Sequence, residues 1–502
     1  MNLIRNNILA NLAGNIWTGL MSLLFIPIYI HFMGIESYGL VGIFATLQGL
    51  FGLLDMGLSS TLNREIARLS VQDDKAQDMR DLVRTMEIPY WIVGVLIAVS
   101  MVMLSPLIAH HWVKVKNLSP RSVQTTILLM GLCAAFQWPI SFYSGGLMGL
   151  QRQLLLNGIN IVIITFRGLG AVVILWLISP TAVAFFMWQA TVSAAQVGVV
   201  TNALWRSLPL TKEASHFRPE LFKNIWRFAA GMTAITIVTT ILLQLDKIIL
   251  SRILSLEKFG YYVLASVVSM SLYRIIGPIF ESIYPQFTKF VELGNTVDLA
   301  KLYHKSSQLV SVLIFPLALL MIFFSKEILL LWTRNSVTSE NAYMVMSILS
   351  IGTVIHCLVH VPYALQLAYG WTRLTLLVNV FSALLLVPLM IFFTRRYGIS
   401  GAASIWVILN IGYMFITIPV MHLHLLSAEK WTWFLQDIGR PLVPAVVVIL
   451  TGRLIVRPDW PAMRIFIALA ILCLAAFLAS ACAANKLDIT KRLKIIIKKP
   501  VV

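Results

Sequence analysis

The chain has 502 residues, 59% hydrophobic and only 12% charged, with a net charge of +18 and a mean hydropathy of +0.84. Soluble domains carry roughly twice that share of charge, so an ordinary water-soluble fold is excluded. The basic residues are scattered through short connections, a pattern that orients a chain in a membrane rather than building a face for nucleic acid.

Apolar runs of about 20 residues are too long for the strands of a membrane barrel. The predicted fold class is therefore an all-α polytopic membrane protein with about fourteen transmembrane helices. In chain order the spans are expected near 8–31, 38–61, 88–110, 122–147, 154–178 and 181–205. Six more follow near 225–251, 259–284, 306–325, 341–367, 373–394 and 398–421, then two near 439–456 and 462–484. The first is span-length and lacks a small-residue cleavage pattern, so it is expected to be a retained helix rather than a removed signal peptide. The uncharged core of the thirteenth runs only from Pro441 to Gly452, which obliges Arg453 to snorkel.

This pattern divides the chain into a six-helix N-terminal lobe (1–206), a cytoplasmic linker (207–224) and a six-helix C-terminal lobe (225–425). Two additional transmembrane helices (426–485) and a basic cytoplasmic tail (486–502) complete it. Polar residues and Pro219 mark the linker. Arg64, Arg68, Lys75, Arg80 and Arg84, and then Arg206, Lys212, Arg218 and Lys223, fall on the same side as the tail. That bias predicts both termini in the cytoplasm, although Arg453, Arg457 and Arg464 in the last outer loop run against it.

Two cations stand out within the spans. Arg167 is the single charged residue from Gln153 to Trp205, and Arg274 the single one from Phe259 to Phe280. A cation at bilayer depth is costly, so it faces a partner or a water-filled cavity and marks function. Two of them imply an anionic ligand. Thr233, Thr236, Thr240, Gln244, Lys247 and Ser251 form one face of the seventh span. Gln48, Gly52, Asp55 and Ser59 do so in the second span, and Asn11, Asn15, Thr18 and Ser22 in the first. Asn160 stands seven residues before Arg167, and Glu281 seven after Arg274, with Pro278 between. The Thr, Ser and Asn positions read equally as hydrogen-bonding glue between helices. Substrate-binding candidates are Arg167, Arg274, Lys247, Asn160, Gln244 and Thr240; coupling or gate candidates are Asp55, Asp246 and Glu281.

The rest of the inventory is negative. The four cysteines (Cys133, Cys357, Cys473, Cys482) have no CxxC spacing, which indicates neither a disulfide framework nor a metal knuckle. His356 and His360 stand four apart on the tenth span, but no third ligand accompanies them, so no metal site is expected. No glycine-rich phosphate loop, nucleophile elbow or pair of catalytic carboxylates is present. The chain is read as a transporter rather than an enzyme, with no cofactor. A faint internal echo pairs Ile35-Glu36-Ser37-Tyr38-Gly39 with Leu256-Glu257-Lys258-Phe259-Gly260, and Leu12-Ala13-Gly14 with Ala229-Ala230-Gly231. Both copies read in the same membrane direction, as parallel repeats do.

Asn11-Leu12-Ala13-Gly14, Ile26-Pro27, Gly34-Ile35-Glu36-Ser37-Tyr38-Gly39 and Leu54-Asp55-Met56-Gly57 together resemble the opening of Wzx-type polysaccharide flippases. These belong to the multidrug/oligosaccharidyl-lipid/polysaccharide exporter superfamily. Asp246-Lys247 with Leu256 through Gly260 resembles the start of that family's second lobe, and Gly398-Ile399-Ser400-Gly401-Ala402-Ala403 its twelfth-span entry. The resemblance implies a V-shaped two-lobed bundle with a basic cavity that alternates between inward- and outward-open states. It implies an undecaprenyl-diphosphate-linked oligosaccharide as substrate, for O-antigen, capsule or exopolysaccharide assembly at the bacterial inner membrane. A proton or sodium gradient would drive it, with membrane lipids, a polysaccharide polymerase and a chain-length regulator as partners. A multidrug exporter, a lipid II flippase and a membrane glycan polymerase or ligase are the alternatives. More interior cations than anions tell against the first, and short outer loops against the last.

Overall fold

A computed structural model describes residues 2–72, 74–221, 240 and 244–497. These fall into two compact units, Met1–Gly260 and Tyr261–Val502. Among the described residues ten helices are long and apolar enough to cross a membrane, eleven if the bent pair Leu256–Met270 and Tyr273–Glu292 counts as one span.

The first unit holds α1 (Asn2–Leu24), α2 (Ile26–Gly52), α3 (Leu58–Leu69), α4 (Ala76–Leu107), α5 (Pro120–Gly149), α6 (Gln153–Leu177) and α7 (Ala182–Ser207). Local chemistry sets several starts. Ser119 caps α5 by accepting the Ser122 N–H at 3.2 Å, with Pro120 in the first turn, and Thr181 caps α7 through Ala184. The α5 helix is central, packed by α3, α4 and α7. Its Val123, Ile127, Cys133, Phe142 and Leu147 are fully buried.

The expected second span, 38–61, does not run unbroken. Its helix stops at Gly52, and Met56 (φ 47°) and Gly57 (φ 76°) turn left-handed before α3 begins. The Asp55 carboxylate accepts the Ser59 N–H and hydroxyl, at 3.4 and 2.8 Å, which turns the chain into a new helix. The supposed single face Gln48–Gly52–Asp55–Ser59 is therefore interrupted. Gly34, at φ 79°, separates the first two expected spans.

The linker region is irregular from 208 to 218 and docks on the start of α4. Arg218 pairs with Asp78 (3.1 Å) and with the buried Asp81 (2.7 Å), and the His216 and Arg218 N–H groups donate to Asp81 and Thr85. Thr233 and Thr236, the repeat copy Ala229-Ala230-Gly231, and most of the expected seventh span lie outside the described residues.

The second unit comprises α8 (Leu256–Met270, which straddles the division), α9 (Tyr273–Glu292), α10 (Thr296–Phe323), α11 (Ser325–Thr333), α12 (Ser336–Ala368), α13 (Thr372–Gly412), α14 (Ile418–His424), α15 (Arg440–Ile455) and α16 (Ala462–Ile497). Phe287, Tyr303, Phe315, Trp433 and Ile449 sit in its core. The expected eleventh and twelfth spans form the continuous stretch Thr372–His424, broken at Gly398 (φ 63°). The ninth begins ten residues early, at Thr296, where Asn295 caps the helix through Asp298. The thirteenth extends back through Lys430–Thr432 and the wide turn Trp433–Gly439.

Arg453 has a partner rather than merely snorkelling. It bonds Glu327, which is only 5% exposed, and lies over the Phe324 ring. The tail residues Lys498 and Lys499 lie outside the described residues.

Candidate functional site

Arg167 lies in the middle of α6, with its side chain turned to α7. One terminal nitrogen donates to Gln189 Oε1 at 3.0 Å and to Ser193 Oγ at 3.2 Å, and the other to Gln196 Oε1 at 2.8 Å. These three acceptors sit at i, i+4 and i+7, one stripe along α7. Gln137 of α5 donates to Ser193 at 2.9 Å, and Gln48 of α2 bonds Gln137. Four helices thus share one polar network.

Glycine permits the close approach. A Cβ on Gly168 would overlap the Phe25 ring, and one on Gly170 would overlap that of Trp188, whose indole N–H donates to the Arg167 carbonyl at 3.1 Å. Every acceptor of the guanidinium is neutral. Among the described residues no carboxylate pairs with it, so the positive charge is not neutralised locally. An arginine has five N–H donors, and three are engaged here.

The sequence of α7 carries this signal, with Gln189, Ser193 and Gln196 at helical spacing, although the cation alone stands out from an apolar run. Asn160 is half-buried two turns before Arg167, and no hydrogen bond joins the two. The stripe of α1 is partly glue. Asn11 bonds Gln153 (2.9 Å) and Asn157 (2.6 Å) of α6.

Residues 244–253 are helical and contribute Gln244, whose side chain lies against Gly49 of α2. Lys247 and Asp246 are largely buried and 3.4 Å apart, and each has further interactions. Thr240 is half-buried. Asp55 accepts the Tyr90 hydroxyl at 2.5 Å besides capping α3. Beside it, Glu87 is buried and accepts from Tyr143 (2.6 Å), Trp205 (3.3 Å) and Arg84 (2.9 Å). In the second unit, Arg274 and Glu281 are both exposed on α9. Arg167 and Arg274 therefore belong to different units.

His356 is bonded to the Tyr273 hydroxyl at 2.7 Å, and His360 to the His356 carbonyl at 2.9 Å. Among the described residues no group of three His, Cys, Asp or Glu side chains is placed to hold a metal ion. A cluster that sequence reasoning misses joins His304 of α10 to Asp437 and Glu429.

Solved structures share this architecture. A lipid II flippase MurJ in an inward closed conformation matches with a TM-score of 0.71 at 13% identity, over 96% of this chain and 99% of that one. An inward-facing multidrug resistance MATE transporter matches with a TM-score of 0.67 at 15% identity, over 82% of this chain and 96% of that one. The fold class is that of multi-pass helical membrane transporters. The pattern of the polysaccharide biosynthesis protein family matches residues 4–291, and that of the MatE family residues 291–392. The chain belongs to the polysaccharide biosynthesis protein family and is a Wzx-like member of the multidrug/oligosaccharidyl-lipid/polysaccharide exporter superfamily. A Shigella flexneri protein named "Putative O-antigen transporter" is 22% identical over 418 residues, 81% of this chain and 94% of that protein.

Proposed function

We propose that this protein moves an undecaprenyl-diphosphate-linked oligosaccharide from the cytoplasmic to the periplasmic leaflet of the bacterial inner membrane. It does so by alternating access, feeding O-antigen, capsule or exopolysaccharide assembly, with both termini in the cytoplasm. The observation that carries the reading is Arg167, a cation within the span Gln153–Leu177 whose hydrogen bonds all go to neutral oxygens. A guanidinium with its charge uncompensated and donors to spare suits a diphosphate. The name of the Shigella flexneri relative points the same way.

In this reading Arg167, Arg274 and Lys247 hold the diphosphate by charge-assisted hydrogen bonds at successive stages of transport. Gln244, Thr240 and Asn160 offer neutral donors and acceptors to the glycan. The prenyl chain remains in lipid, where its apolar length costs nothing to solvate. Transport draws on an ion gradient rather than on a reaction catalysed by the chain.

The test is a deletion strain scored for surface glycan and for lipid-linked oligosaccharide. Loss of surface glycan with build-up of the lipid-linked precursor, both reversed by the intact gene, supports the assignment. Lysis on depletion with unchanged surface glycan would instead indicate lipid II as the cargo.

A further inference from the structure

The His304 cluster is built from three segments of the second unit. His304 lies on α10, Glu429 in the short turn Ser427–Glu429, and Asp437 in the wide turn Trp433–Gly439. His304 Nδ1 is 2.5 Å from Asp437 Oδ2, and its Nε2 is 3.0 Å from Glu429 Oε2. Gln308, one turn on, donates to the other Asp437 oxygen at 2.9 Å. Asp437 is fully buried.

Hydrogen counting makes this arrangement specific. A neutral imidazole has one donor and one acceptor nitrogen, and an ionised carboxylate only accepts. Here both ring nitrogens face carboxylate oxygens, so a neutral ring between two carboxylates would leave one lone pair pointing at another. One further proton is required, either on the ring or on one carboxyl group. The neighbouring His422 shows the contrast. Its Nδ1 donates to the Ile418 carbonyl at 3.0 Å and its Nε2 accepts from the Tyr303 hydroxyl at 3.2 Å, so it is satisfied while neutral.

The other charged neighbours do not supply that proton's charge. His422 is satisfied while neutral, Lys430 lies over the Trp431 ring, and Arg440, one turn past Asp437, is exposed. On α10 itself Lys301 is exposed and paired with Asp298, and Lys305 is exposed. From the other elements packed on α10, Lys289 and Glu292 of α9 are exposed, Glu327 of α11 pairs with Arg453 of α15, and His356 and His360 of α12 engage Tyr273 and their own helix. The charged side chains of α16 from Lys486 onward lie outside the described ones.

A second feature extends the cluster inward. Ser307 and Ser311 lie three and seven residues past His304, on the same face of α10, and both hydroxyls are buried without a hydrogen-bond partner. The buried Trp433 indole N–H, one turn before Asp437, is likewise unpartnered. Buried polar groups of this kind are ordinarily satisfied by bound water. Together they make a polar column leading from the His304 cluster into the apolar interior of the unit.

We infer that His304, Asp437 and Glu429 form a proton-binding site that couples export to the proton gradient, with Ser307 and Ser311 lining its inner approach. The coupling role rests on the export reading above; proton binding by the triad does not. Loaded, the triad carries a net charge of one negative unit and all its hydrogen bonds are made. On proton loss it carries two negative units, and one of the two contacts between α10 and the 427–439 segment turns repulsive. The triad's hydrogen bonds are complete only while that proton is bound, so their contribution to stability is present with the proton in place and disappears when rising pH removes it.

The test uses the full chain, wild type and Asp437→Asn. The side-chain amide that Asp437→Asn introduces can donate to His304 Nδ1 while His304 Nε2 donates to Glu429, which reproduces the loaded triad with no proton to release. Glu429→Gln does the same from the other side and serves as the second variant. Melting temperature is followed from about pH 6 to about pH 9, bracketing the range in which histidine ordinarily titrates. Wild type should lose stability with rising pH more steeply than either variant. In cells both variants should accumulate normally yet export glycan at least about tenfold more slowly. Variants with the wild-type pH slope would overturn the proton site, whatever the cargo. Variants that lack the slope but export normally would overturn the coupling role. Failure of the wild-type gene to restore export would count against the export reading alone, leaving the melting data to decide the proton site.

Discussion

Gly39 and Gly260, the last residues of the two repeat copies, sit where two backbones come closest. A Cβ on Gly260 would overlap the Ile35 carbonyl oxygen, and one on Gly39 would lie 2.5 Å from that of Leu256. Both copies also hold the segment that follows α4. Glu36 accepts the Lys116 N–H at 2.6 Å, Glu257 pairs with the Lys116 ammonium at 3.5 Å, and the Leu256 N–H donates to the Lys114 carbonyl at 2.9 Å. The echo in the sequence is thus a packing device. Each short motif supplies a glycine for close approach and an acid to anchor the same strap.

Because the obstructing atoms are backbone, neither glycine can accept a side chain by a rotamer change. Gly39→Ala and Gly260→Ala should each destabilise the protein by about 1–3 kcal/mol. Lower melting temperatures of the purified variants would show it. Gly158→Ala, inside α6 where a Cβ meets nothing within 4 Å, is the matched control and should melt at or slightly above wild type.

The Glu327–Arg453 pair predicts an asymmetry. Glu327 is buried, whereas Arg453 is partly exposed at the end of α15. Arg453→Ala strands a buried carboxylate and should cost about 1–3 kcal/mol. Glu327→Gln leaves an arginine that can turn to solvent and should cost less. Thermal melting of the two variants side by side checks the order.

Asp55 joins two roles in one carboxylate, capping α3 and bonding Tyr90. Asp55→Ala removes both and should lower stability by about 1–2 kcal/mol. Asp55→Asn keeps an acceptor for Ser59 and should retain most of it. If the two variants melt alike, the cap is not the stabilising element.

Much of the fold is legible in the sequence because some spans are bounded by local chemistry. Ser119-Pro120 and Ser179-Pro180-Thr181 punctuate α5, α6 and α7, and the expected limits lie within a few residues of those found. The turn after Gly52 is not legible, because hydropathy runs on through it while two left-handed residues redirect the backbone. The His304 site escapes for a related reason. Hydropathy starts the ninth span after His304 and the thirteenth after Asp437, which leaves both residues in connections. Their pairing spans 133 positions, a separation on which helical periodicity is silent. Arg167 is marked by its isolation in an apolar run, but its acceptors on α7 become visible only once α6 and α7 are packed.

The most direct test of the anionic-cargo account is export by the Arg167→Ala/Arg274→Ala double variant, measured as surface glycan beside melting temperature. Removing Arg167 strands only neutral acceptors, so the protein should insert and fold with at most about 1–3 kcal/mol lost, while export falls at least about tenfold and lipid-linked precursor accumulates. A folded double variant that displays glycan at the wild-type level would contradict the account.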